Sequence, residues 1–77
     1  MNYIVKIVAK ATDDNPNFKG ETSVYYIAKD WVYDKQMYAE ENAWKRKWAA
    51  EKWIEDDRKW SAEHEKYWIY EYEIVEV

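Results

Sequence analysis

The chain has 77 residues, with 12 Lys+Arg against 16 Asp+Glu, a net charge of −4, one Gly, one Pro, no Cys, and six Trp, eight Tyr and one Phe. That length allows one domain at most, and the missing cysteines exclude disulfides, thiolate zinc sites and thiol nucleophiles. A chain this short buries only roughly 60% of its unfolded surface, so large aromatic side chains must supply much of the core.

Residues Tyr3 to Ala11 alternate, with Tyr3, Val5, Ile7, Ala9 and Ala11 on one face and Ile4, Lys6, Val8 and Lys10 on the other. This pattern predicts a strand with one buried face. With Lys6 and Lys10 inside it and no small-residue cleavage pattern, it does not read as a signal peptide. Asp13-Asp14-Asn15-Pro16-Asn17-Phe18-Lys19-Gly20 holds the only Pro and Gly and reads as a loop. Thr22 to Lys29, rich in β-branched and aromatic residues, predicts a second strand paired antiparallel with the first.

Asp30 to about Lys66 is dense in Ala, Glu, Lys, Arg and Gln, without Gly or Pro, and Asp30 or Asp34 can supply an N-cap oxygen. It predicts a helix. Trp68, Tyr70, Tyr72 and Ile74 then alternate with Ile69, Glu71, Glu73 and Val75, a third strand reaching nearly to Val77. The order strand, strand, helix, strand predicts an α+β domain spanning residues 1 to 77. It is a two-layer ββαβ unit with a three-stranded antiparallel sheet in order 2-1-3, the helix covering one face.

About 36 helical residues would measure ~54 Å, against ~33 Å for a ten-residue strand. The apolar phase conflicts too: Tyr33, Met37, Trp44 and Trp48 fall within about 60° of one another, with Trp53 and Trp60 nearly opposite. Either the helix bends or breaks between Trp48 and Asp57, the preferred reading, or its second face meets another molecule.

The constellations that could carry chemistry are weak. Asp13, Asn15 and Asn17 imitate the start of a calcium loop, but Phe18 stands where that loop needs Gly, and Val24 where it needs a bidentate Glu. His64 is the sole imidazole, and the residues sharing its helical face, Trp60, Ser61, Tyr67 and Trp68, add no second strong ligand. Glu40-Glu41 and Glu55-Asp56-Asp57 read as a solvated face with i,i+4 partners such as Glu55 and Lys59. No Gly-rich phosphate loop, His pair or triad spacing is present, so neither catalysis, metal nor cofactor is expected. No apolar run approaches the ~20 residues of a membrane span, and the expected address is cytoplasmic.

Six Trp exceed what a two-layer core of this size needs. One or more of Trp53, Trp60 and Trp31 are expected partly exposed or in an interface, and Trp44, Trp48 and Trp68 in the core. The last eleven residues carry three acids and no base, which puts the acidic excess on the last strand. An acidic surface of Glu55, Asp56, Asp57, Glu71 and Glu73, anchored by Trp53 and Trp60, would suit a partner with a basic surface. Lys45-Arg46-Lys47-Trp48 instead mixes cations and an aromatic as single-strand binders do, although nearby acids interrupt it.

Asp14-Asn15-Pro16-Asn17-Phe18-Lys19-Gly20, followed by Val24-Tyr25-Tyr26, Lys29 and the terminal Glu73-Ile74-Val75-Glu76-Val77, resembles small uncharacterised proteins of Gram-positive temperate phages and mobile elements. That resemblance implies the class of host-defence inhibitors such as anti-CRISPR proteins, which bind a nuclease without chemistry of their own. It carries over no site residue. The leading expectation is therefore a non-enzymatic protein-binding inhibitor acting by steric or nucleic-acid-mimic blockade. The alternatives are a homodimer formed through the aromatic helix and a small nucleic-acid-binding protein.

Overall fold

A computed structural model gives the fold, described here for residues 1–29 and 31–77. Its elements in chain order are β1 (Tyr3–Ala11), β2 (Thr22–Ala28), β3 (Trp31–Tyr33), α1 (Gln36–Glu40), α2 (Lys47–His64) and β4 (Trp68–Glu76). All the strands pair antiparallel in one sheet of order β3-β2-β1-β4. The fold is α+β, and β1 lies between β2 and the last strand, as the order of elements predicted. The sheet has four strands rather than three, and α2 has 18 residues rather than about 36.

The extra strand comes from Trp31-Val32-Tyr33, an aromatic and β-branched triplet at the start of the stretch expected to be helical. Ala28 pairs with Trp31 across a connection in which Lys29 takes φ 43°, a left-handed conformation that reverses the chain. Asp30, one of the two expected caps, lies outside the described residues. Asp34 does not cap, because the N-cap position of α1 is Lys35 and makes no side-chain bond.

The helical stretch breaks between Glu40 and Lys47, earlier than expected, and α2 runs uninterrupted through the Trp48 to Asp57 interval. Tertiary bonds hold the break open. The Tyr3 N–H donates to the Trp44 carbonyl at 2.8 Å and the Trp44 N–H returns to the Tyr3 carbonyl at 2.9 Å, while Asn42 Nδ2 donates to the Tyr33 hydroxyl at 2.9 Å. Backbone that would have closed helical turns is satisfied against β1 instead. The rotation of phase between the two aromatic sets is thus absorbed by a change of element.

Each face of the sheet acquires its own small core. Val5 and Ile7 of β1 and Ile27 of β2 pack under Ala50 and Ile54 of α2, with Tyr3, Tyr25, Trp44, Trp53, Tyr72 and Ile74 around them. On the reverse face Ile4 and Ala28 pack against Ala39 of α1 and Ala43. Alanine at 39, 43 and 50 leaves no side-chain bulk between helix and sheet, so both helices sit low on it. Trp48, expected in the core, is 65% exposed, because its position on α2 turns away from the Ala50 and Ile54 stripe.

Asn15 is the only buried polar residue among those described, and it ties the β1–β2 connection to the rest of the molecule. Its Oδ1 accepts the backbone N–H groups of Asn17 (3.1 Å) and Phe18 (2.9 Å), and its Nδ2 donates to the Tyr67 carbonyl at 3.0 Å. The calcium-like spacing is therefore an Asx turn whose side chain is already used. Phe18 closes the loop by resting on Trp68, with ring centroids 5.8 Å apart.

Candidate functional site

Trp53, Asp57, Trp60, Ser61 and His64 recur at helical spacing and lie along one stripe of α2. Where that stripe crosses the sheet a cleft of about 130 Å³ opens, walled by Trp53, Trp60, Tyr25 and Tyr70, with Val32 of the short edge strand at one side. Asp57 and Ser61 also line it. Trp60 is 54% exposed and carries the His64 ring stacked on it at 4.9 Å and 18°. The same His64 reaches the Trp60 carbonyl through Nδ1 at 3.0 Å, and since a carbonyl only accepts, Nδ1 carries the proton. Trp53 is half-buried and meets Tyr72 edge-on at 6.4 Å.

Below the cleft the phenols of β4 face the helix and its acids. Tyr72 donates to Asp57 Oδ2 at 2.5 Å, a charge-assisted bond, and Arg58 lies 5.2 Å from the Tyr72 ring centre. Tyr70 donates to Glu65 Oε2 at 3.3 Å, while Glu65 Oε1 accepts the N–H groups of Lys66 and Tyr67 where α2 turns into β4. The Ser61 hydroxyl is buried with no hydrogen-bond partner, yet close enough to Tyr72 to offset part of the rise in that phenol's pKa.

Burial, first, and then the hydrogen bond to Asp57 push the Tyr72 phenol up to about 12. Burial and the neighbouring Glu65 push Tyr70 up as well, and burial with Asp57 and Glu65 does the same to Tyr25. These phenols are thus neutral donors across the neutral range and do not serve as bases there. A folded-state pKa above the unfolded one favours the protonated, folded form. The stability this contributes is fully present below the ordinary tyrosine value of 10.0 and lost as pH rises through the folded value, about 12 for Tyr72. Denaturant stability is expected to fall across that window, with phenolate absorbance rising late. Tyr72→Phe is expected to flatten the fall, and an unchanged slope in that variant would show that its phenol is not held by Asp57.

The seven residues expected at a partner surface fall on three separate ones. Trp53, Asp57 and Trp60 come together in the cleft. Glu55 and Asp56 are exposed on α2 and pair with Lys59 and Lys52, each at 3.4 Å, i,i+4 links worth only ~0.3–0.5 kcal/mol. Glu71 and Glu73 point to the opposite side of the sheet, because their neighbours Tyr70 and Tyr72 fill the helix-facing side. Glu71 there meets Lys10 at 3.0 Å. A continuous acidic row running from Glu55-Asp56-Asp57 to Glu71 and Glu73 does not form. The sequence reading missed Tyr25, Tyr70, Ser61 and Val32, whose convergence depends on the register of α2 against the sheet.

Among the described residues no group of three or more His, Asp or Glu is placed to hold a metal ion, and no helix is long and apolar enough to cross a membrane. No protein-family model, no curated protein and no solved structure matches the chain.

Proposed function

We propose that this chain is a non-enzymatic protein-binding module whose cleft receives a lysine or arginine side chain from a partner with a basic surface. The observation that carries the reading is the set of four aromatic walls, Trp53, Trp60, Tyr25 and Tyr70, around a site that also holds the Asp57 carboxylate. Ring faces attract a cation, and a carboxylate close by adds Coulombic attraction. Occupying a basic surface in this way would block it sterically. The resemblance to phage-borne proteins supports a host defence nuclease or nucleic-acid-binding protein as the one blocked.

The test begins with a pull-down from a Gram-positive lysate and continues with affinity for whatever is retained. Trp60→Ala is expected to weaken binding at least about tenfold without loss of fold, because hot-spot aromatics dominate interfaces. Affinity is also expected to fall as salt rises. Equal binding by the variant removes the cleft from the interface. A concentration-dependent dimer in sedimentation, abolished by Trp60→Ala, moves the reading to self-association.

A second reading is favoured by the position of Trp48. It stands exposed beside the equally exposed Lys45, Arg46 and Lys47 at the start of α2, so a base could stack on it while the cations meet phosphate. Retardation of single-stranded nucleic acid at low salt, reduced about tenfold or more by Trp48→Ala, is the outcome this reading expects. An unshifted band at low salt eliminates it.

A further inference from the structure

The two edges of the sheet are built differently. The β3 edge is three residues long, which leaves little to pair with. The β4 edge is nine residues long, pairs with β1 without a bulge over its whole length, and contains neither Pro nor Gly. Natural edges are ordinarily shortened, bulged, covered or interrupted, because unpaired N–H and C=O groups template a further strand.

The register identifies which groups are unpaired. Asn2 and Val77 exchange both backbone hydrogen bonds (3.1 and 2.9 Å), and the Thr12 N–H donates to the Tyr67 carbonyl at 3.0 Å. Since bonded and non-bonded pairs alternate in an antiparallel ladder, odd-numbered residues of β4 bond inward to β1. The N–H and C=O groups of Trp68, Tyr70, Tyr72 and Ile74 therefore point out from the free edge.

Each side of that edge offers a different chemistry. On the helix side a groove of about 310 Å³ runs along it, walled by Arg58, Ser61 and Ala62 of α2 and by Trp68, Tyr70 and Tyr72. On the other side stand Glu71, paired with Lys10 at 3.0 Å, and Glu73, opposite Lys6 on β1 and left out of the ion pairs among the described residues. A second copy of β4 in full overlap fits this poorly: antiparallel pairing centred on Tyr72 sets Glu71 opposite the second copy's Glu73, a like-charge contact.

We propose that the free edge of β4 takes up an extended segment of a partner protein in which basic residues alternate with apolar ones. Main-chain bonds to Tyr70, Tyr72 and Ile74 hold the segment. Its apolar side chains enter the groove beside α2, where Arg58 disfavours another cation, and its lysines or arginines lie along Glu71 and Glu73. The inference rests on the protein-binding reading only for the class of partner, since the cleft at Trp60 takes no part in it.

The experiment uses the full chain and a capped nine-residue peptide in which Lys alternates with Leu or Val, compared with the same residues in two blocks. The alternating peptide is expected to bind more tightly and to slow amide hydrogen exchange at Tyr70, Tyr72 and Ile74, leaving Glu71 and Glu73, already bonded to β1, unchanged. Glu71→Gln/Glu73→Gln, which removes the charges without setting Lys against Lys6 and Lys10, is expected to weaken it severalfold, whereas the charge-matched Glu21→Gln/Glu51→Gln control changes it far less. Equal affinity for the two peptides, or no binding of either, overturns the edge proposal. Protection confined to the residues around Trp60 overturns it while leaving the cleft reading intact. Protection of the β4 edge by self-association in the absence of peptide overturns the choice of partner.

Discussion

Ile7→Ala is expected to remove about 3 kcal/mol of stability, read as a lowered urea midpoint with an unchanged slope. Ile7 is 1% exposed on the central strand, cross-strand from Tyr25 on one side and Tyr72 on the other, beneath Ala50 and Ile54. Both neighbouring strands fix the position of its Cα, so the sheet cannot close over the void. A 77-residue domain has roughly 4–12 kcal/mol in total, with small domains toward the lower end. The loss is therefore a large part of the whole, and a marked fraction of the variant is expected to unfold on mild heating. Ile69→Ala is the control: the same β-branched chemistry on the exposed side of β4, with an expected change within about 0.5 kcal/mol. If the two variants lose equal stability, α2 is not packed over β1.

Period-two patterning made β1 and β4 legible, because a one-residue slip would expose their apolar side, and β-branched and aromatic composition made β2 so. The same alternation sets the side of the sheet on which each acid of β4 lies. With Trp68, Tyr70, Tyr72 and Ile74 as the buried side, Glu71 and Glu73 had to face away from the helix, so they could not share a surface with Glu55 and Asp56. The clash in helical phase between Trp44 and Trp53 signalled a broken helix, and the place of the break was not readable. No Gly or Pro marks residues 41 to 46; what keeps them out of a helix is the pairing of Trp44 with Tyr3 and the bond from Asn42 to Tyr33, both tertiary. β3 was hidden for a related reason. Three residues are too few to outweigh the helix formers that follow, and they are a strand because β2 offers an edge to pair with. The cleft is legible only after both events, since it needs Val32 beside β2 and the Trp53 to Ser61 stripe set across the sheet.

Trp53 and Trp60 share the cleft and the same residue type, and their truncation is expected to have opposite consequences. Trp53→Ala is expected to cost about 2–3 kcal/mol, a value below the fully buried range because the ring is only half-buried. That ring packs against the cluster of Val5, Ile7, Ile27, Ala50 and Ile54 and meets Tyr72 edge-on, so its loss opens the space beneath α2 and loosens the phenol that bonds Asp57. Near-ultraviolet circular dichroism is expected to weaken along with the urea midpoint. Trp60→Ala removes a ring that is mostly in water and is stacked only on His64, with an expected cost of at most about 1 kcal/mol. The energetic difference decides how binding data are to be read: a partner lost by Trp53→Ala reports on folding, whereas one lost by Trp60→Ala reports on contact. Trp53→Phe restores most of the apolar area and is expected to recover most of the stability. A Trp53→Ala variant as stable as Trp60→Ala would place Trp53 outside the core and return it to the role of a free anchor.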